Sequence, residues 1–135
     1  MGKIEGGCLC GQIRYQSDSK SLFTSICHCK HCQKQCGTAF SILVGVKKET
    51  LNITGEMSVY KDVGESGKPV FRKFCGKCGS PILSEVDIVP DLFFIKAGTL
   101  DNPTKLKPTK EIWTIHRLEC VDIINDTDKF EYSGR

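Results

Sequence analysis

The chain has 135 residues, enough for one domain with a sizeable core, and 26% are charged and 39% hydrophobic. Its net charge of +3 is scattered along the sequence, which argues against a nucleic-acid face. No apolar run reaches transmembrane length and Met1–Gly7 lacks a signal-peptide core, so a cytoplasmic protein with no membrane partner is expected.

The elements are short. Gly6-Gly7-Cys8-Leu9-Cys10-Gly11 opens the chain, with glycines that permit close backbone approach. Ile13 and Tyr15 alternate with Gln12, Arg14 and Gln16, the pattern of a half-buried strand. Leu22–Ile26 predicts a second strand leading into Cys27-His28-Cys29-Lys30-His31-Cys32. Lys30–Cys36 predicts a helical turn that Gly37 stops. Ala39–Val46 is nearly continuous in apolar residues and predicts a central strand. Leu51–Thr54 and Met57–Val63 predict two strands around a Gly55-Glu56 turn. Val70–Phe74 delivers Cys75-Gly76-Lys77-Cys78-Gly79, and Leu83–Val86, Leu92–Ala97, Glu111–Ile115 and Cys120–Ile124 complete a β series. No long stretch keeps a 3.6-residue apolar period, and there is no repeat or linker. The fold class is therefore mostly β, in one domain over residues 1–135.

Nine cysteines in an unexported chain read as thiols or metal ligands more readily than as disulfides. Cys8-x-Cys10 and Cys75-x-x-Cys78 each supply two thiolates. Together they make a closed four-thiolate zinc site, which is the structural kind. Cys27, Cys29 and Cys32 supply three, and no fourth cysteine stands at matching spacing. Three thiolates with an open position suit a catalytic zinc. The alternative is a second structural zinc closed by His28, His31 or Cys36. Otherwise His28 and His31 are solvated or neighbouring imidazoles, Cys36 is a small buried residue, and Cys120 is packed in a strand. Trp113 and Phe40 read as core aromatics at strand positions, with a pocket lining as the alternative, and Lys30, Lys34, Lys47 and Lys48 as a solvated basic face, with contacts to the carboxylates of a substrate as the alternative.

These motifs resemble the glutathione-dependent formaldehyde-activating enzyme family, which includes centromere protein V. The resemblance rests on Gly6–Gly11 with Tyr15, Cys27–Cys32 with Gly37-Thr38-Ala39-Phe40, Phe74–Pro81, and Ala97-Gly98-Thr99-Leu100-Asp101. It implies a β-tent of antiparallel sheets holding two zinc ions. By that likeness Cys8, Cys10, Cys75 and Cys78 hold the structural ion, and Cys27, Cys29 and Cys32 the catalytic one. It also implies a carbon–sulfur lyase that joins glutathione, its small-molecule thiol partner, to formaldehyde as S-hydroxymethylglutathione. Relatives carry a tryptophan shortly after an arginine where this chain has Arg117-Leu118-Glu119-Cys120, and a histidine near the position of Glu111. Two other classes use paired cysteines: a zinc-ribbon binding module without catalysis, and a thiol or methionine sulfoxide reductase. The weak charge argues against the first. The second leaves Cys8-x-Cys10 and the triplet without a role.

Overall fold

The computed structural model of the protein describes residues 3–122 and 126–134. Its architecture is mostly β. Three short strands, β1 (Ile4–Gly7), β2 (Arg14–Ser17) and β5 (Asn52–Thr54), form a small antiparallel sheet in the order β1-β2-β5. The larger sheet holds β3 (Phe23–Cys27), β4 (Ser41–Lys47), β6 (Ser58–Val63), β7 (Pro69–Phe74), β8 (Pro81–Val86), β9 (Leu92–Lys96), β10 (Lys110–Ile112) and β11 (Asp128–Lys129). Its order is β11-β10-β3-β4-β9-β8-β7-β6. One helix, α1 (Lys30–Cys36), follows β3.

Pairing departs from an all-antiparallel tent at one edge. β10 runs parallel to both β3 and β11, while the other pairs are antiparallel. The Gly55-Glu56 turn also does not close a hairpin. It hands the chain from the small sheet to the large one, because β5 pairs with β2 and β6 pairs with β7. β1 was not predicted. Its two glycines carry no strand propensity, and close packing explains them. A side chain at Gly6 would collide with the Tyr15 hydroxyl and the Thr99 carbonyl.

Period-two alternation sorts the large sheet into two faces. Val44, Val46, Leu83, Phe93 and Ile95 pack on one side, in a core with Ile4, Ile13, Tyr15, Cys8 and Cys75. Ile13, Ile82, Leu83 and Ile95 are fully buried there. Each such aliphatic side chain contributes about 1.5–3 kcal/mol relative to exposure. The intervening residues Leu43 and Phe94 pack on the other side, with Cys27, Cys29 and Cys32. Cys8 and Cys75 thus belong to one apolar cluster and Cys27, Cys29 and Cys32 to the other, while Cys10 is exposed.

The C-terminal expectations are corrected in part. The strand predicted over Glu111–Ile115 stops at Ile112, because Trp113 takes a left-handed conformation (φ 57, ψ 38) and Thr114–His116 coils into a 3-10 turn. The strand predicted over Cys120–Ile124 does not form where it is described: Cys120 is exposed on a turn. Ile123 and Ile124 lie outside the described residues. No helix among the described residues is long and apolar enough to cross a membrane.

Candidate functional site

The first cysteine group is built from two turns. Cys8 and Cys10 lie in the turn between β1 and β2, and Cys75 and Cys78 in the turn between β7 and β8. Their four sulfurs lie within 4.8 Å of one another. Cys8 Sγ is 3.6 Å from Cys10 Sγ, and Cys10 Sγ is 3.8 Å from Cys75 Sγ. Backbone amides point at the sulfurs: Ile13 N–H donates to Cys8 Sγ at 3.2 Å and Cys78 N–H to Cys75 Sγ at 3.5 Å. Ser80 joins the two turns, for its hydroxyl accepts from Leu9 N–H at 3.1 Å and sits 3.2 Å from Cys78 Sγ. The Ser80 hydroxyl and amide bring the Cys78 thiol down to about 5. Thiolate character is what metal ligation requires.

The second group is local in sequence. Cys27 ends β3, and Cys29 caps the N-terminus of α1 from an extended conformation (φ −61, ψ 151). Its sulfur accepts the Cys32 N–H at 3.2 Å, satisfying one of the helix's orphan donors. Cys32 follows on the first turn, and Gly37 closes the helix in the left-handed region (φ 65, ψ 36). The three sulfurs lie within 4.8 Å of one another and all three residues are buried.

The side chains considered as a fourth ligand do not join this group. His28 Nε2 donates instead to Glu111 Oε1 at 2.8 Å, with both residues 1% exposed. Glu111 Oε2 also accepts from Thr127 Oγ1 at 2.5 Å. His31 Nδ1 donates to Asp62 Oδ2 at 2.8 Å. Cys36 Sγ reaches Gln35 Oε1 at 3.6 Å, and Cys120 is exposed elsewhere.

Positive charge surrounds the triplet. Arg72 is buried, donates from Nε to Asp62 Oδ2 at 2.9 Å, and brings Nη1 to 3.8 Å from Cys32 Sγ. Burial opposes ionisation of Asp62, yet hydrogen bonds from His31 and Arg72 hold its carboxyl below the ordinary range. Hydrogen bonds from Cys27 and Cys29 hold the Cys32 thiol well below its usual range, and the charges of Lys96 and Arg72 add to this. The sulfurs line a cavity of about 100 Å³, with Arg72, Ser84, Lys96 and Trp113 among its walls. Glu65 and Arg72 also border a wider outer cleft of about 540 Å³, which carries Lys30, Lys34 and Tyr60.

The family model for the glutathione-dependent formaldehyde-activating enzyme matches residues 3–116, a span that takes in all seven clustered cysteines. The chain belongs to this family. Among solved structures, a Rhodobacter sphaeroides protein has a similar fold, with a TM-score of 0.61 and 20% identity, over 79% of this chain and 98% of that one. No curated protein sequence matches the chain significantly.

Within this formaldehyde-activating family member, several residues of the site were not singled out in the sequence. Arg72, Ser84 and Lys96 face the triplet by register: Arg72 pairs with Ser84, Ser84 with Phe94, and Lys96 stands two residues beyond Phe94. A lysine at an inward position of Leu92-Phe93-Phe94-Ile95-Lys96 was the available signal. Ser80 was visible only as part of the second knuckle. Trp113 lines the cavity rather than the main core, held by stacking on His116 and an edge contact with Tyr132. Glu111 is engaged by His28 and Thr127.

Proposed function

We propose that the protein is a zinc-dependent carbon–sulfur lyase that adds a thiol, glutathione by family membership, to formaldehyde. The sulfur geometry fits zinc. Bonds of about 2.3 Å at tetrahedral angles place thiolates about 3.8 Å apart, and in the first group Cys10 Sγ lies 3.6 Å from Cys8 Sγ and 3.8 Å from Cys75 Sγ. In this reading Cys8, Cys10, Cys75 and Cys78 hold a structural zinc, while Cys27, Cys29 and Cys32 hold a catalytic one with an open position. The observation that carries the reading is the triplet itself. Its sulfurs line a cavity, and no fourth histidine, cysteine or carboxylate ligand atom among the described residues joins them.

Cys27, Cys29 and Cys32 would hold the zinc, which would supply a position where a substrate sulfur is stabilised as its thiolate. Three protein thiolates would leave a divalent site with a net negative charge, a weaker Lewis acid than an imidazole-bound one. The residues around it do the rest. Arg72 offsets the thiolate charge beside Cys32 and is itself oriented by Asp62. Trp113 and Phe94 wall the cavity against water. Lys30 and Lys34, at the outer cleft, offer positive charge to the carboxylates of a tripeptide thiol whose sulfur lies inside. Holding both reactants in one cavity removes part of the entropic cost of their meeting.

The test pairs metal analysis with nuclear magnetic resonance detection of S-hydroxymethylglutathione. The wild type is expected to carry two zinc ions per chain and to speed adduct formation above the spontaneous rate. Cys32→Ser is expected to carry one ion, keep its fold and lose the acceleration. A wild-type rate equal to the spontaneous one overturns the enzyme reading in favour of a binding module.

A further inference from the structure

The cavity beside the triplet contains a cation whose one task so far is to set its charge beside Cys32. Lys96 ends β9, is 5% exposed, and faces the same side of the sheet as Phe94. An ammonium withdrawn from water is costly unless it is paired. Its hydrogen-bond partner among the described residues is a neutral one, Ser41 Oγ at 3.0 Å, and no carboxylate there pairs with it. Three ammonium hydrogens meeting one such acceptor leave donors to spare. Ser84 lines the same cavity, is 5% exposed, and its Oγ has no hydrogen-bond partner among the described residues. Buried polar groups are nearly always satisfied, so two under-used donors in one cavity point to a ligand oxygen.

We infer that Lys96, with Ser84 beside it, holds the oxygen of the small carbonyl compound that the thiol attacks, as it turns from carbonyl into alkoxide. The inference rests on the reading that the triplet site takes a thiol. In the step, the thiol has already lost its proton to water. A sulfur lone pair forms the S–C bond, the C=O π pair moves to oxygen, and the resulting alkoxide takes a proton from water. No oxidation occurs. Lys96 remains an ammonium throughout and acts by donating hydrogen bonds to the oxygen where charge develops. Ser84 donates a second. Preorganised donors of this kind act in the transition state more than in the ground state, so their removal lowers kcat more than thiol affinity.

The experiment compares wild type with Lys96→Met, Lys96→Arg and Ser84→Ala. Four quantities are read: zinc per chain, glutathione affinity by calorimetry, kcat for adduct formation, and line broadening of ¹³C-formate, an anionic one-carbon probe. Lys96→Met is expected to keep its zinc and to bind glutathione within about twofold of wild type. Its kcat should fall by about 100-fold or more, and formate broadening should vanish. Lys96→Arg should recover part of both, and Ser84→Ala should lose about tenfold in kcat. Unchanged kcat and unchanged formate broadening in Lys96→Met overturn the inference and leave the lyase reading standing. Loss of zinc or of glutathione binding, unrecovered in Lys96→Arg, also overturns it, because Lys96 then only balances the thiolate charge. If wild type makes no adduct yet broadens formate through Lys96, the oxygen-binding site stands and the lyase reading falls. If wild type does neither, both fall.

Discussion

At the scale of single residues, charge is managed by short relays beside isolated pairs such as Arg14–Asp101. His31, Asp62, Arg72 and Cys32 form one such line across α1, β6 and β7. Glu85 forms another, accepting from Lys48 Nζ at 2.6 Å and pairing with Lys73 on the neighbouring strand. Burial opposes ionisation of Glu85, but the hydrogen bonds from Lys48 and Lys73 hold its carboxyl below the ordinary value of 4.5. A carboxyl depressed in the fold binds protons less readily than in the unfolded chain. Its stabilisation is therefore present above about pH 4.5 and is lost as pH falls through its lowered value. Glu85→Gln is expected to cost about 1 kcal/mol at pH 6–7, discounted because Lys48 is partly exposed. In melting curves recorded from pH 7 to 3, with zinc measured in parallel, the gap to wild type should close at the acid end. A gap that stays constant would show that the carboxylate charge contributes nothing.

At the scale of elements, α1 is a seven-residue helix that carries one cysteine of the triplet, Cys32, and is capped by another, Cys29. So short a helix is not stable on propensity alone. Cys29 secures its start and Gly37 its end, the latter through its N–H to Gln33 O at 2.8 Å. Nothing lies within 4 Å of a Cβ placed at Gly37, so substitution there meets no steric clash and tests backbone conformation alone. Gly37→Val should cost about 1–2 kcal/mol, while Gly37→Asn should cost less, since asparagine tolerates the left-handed region. The expected functional readout is weaker metal retention at the triplet against a chelator, in the order glycine, asparagine, valine. Equal retention in all three would mean that the helix end does not position Cys32.

At the scale of the whole molecule, the two cysteine groups do different mechanical work. Cys8 and Cys10 belong to the turn of the small sheet, and Cys75 and Cys78 to a hairpin of the large one. A shared ion would bolt the sheets together, and its binding would be part of the folding free energy, on the order of 10 kcal/mol. The triplet comes from one stretch, so its ion would join no distant parts. Cys75→Ser is thus expected to unfold the protein or to lower its melting temperature by tens of degrees, whereas Cys32→Ser melts close to wild type. Circular dichroism melts with metal counting check this. A soluble Cys75→Ser variant with an unchanged melting temperature would contradict it.

Local facts were legible from the chain alone. Cysteine spacing marked both groups, since cysteines two or three positions apart converge through a single turn. The extent of α1 was readable because a left-handed glycine stop is a backbone property. Most strands were readable from apolar alternation or apolar runs, and the combined motifs identified the family that the match over residues 3–116 shows. The strand predicted over Cys120–Ile124 does not form in its described part, because apolar residues need a partner strand and there the chain turns instead. Other features were settled only by tertiary structure. Whether β5 and β6 form a hairpin or divide between sheets depends on long-range pairing, which no local propensity encodes. The same holds for the parallel placement of β10 beside β3, and for Trp113 turning out of the strand to wall the cavity. Lys96, Ser84 and Arg72 share a face with the triplet only through strand register. A one-residue slip would send each to the opposite face, so only the folded sheet decides which polar residues meet the triplet sulfurs.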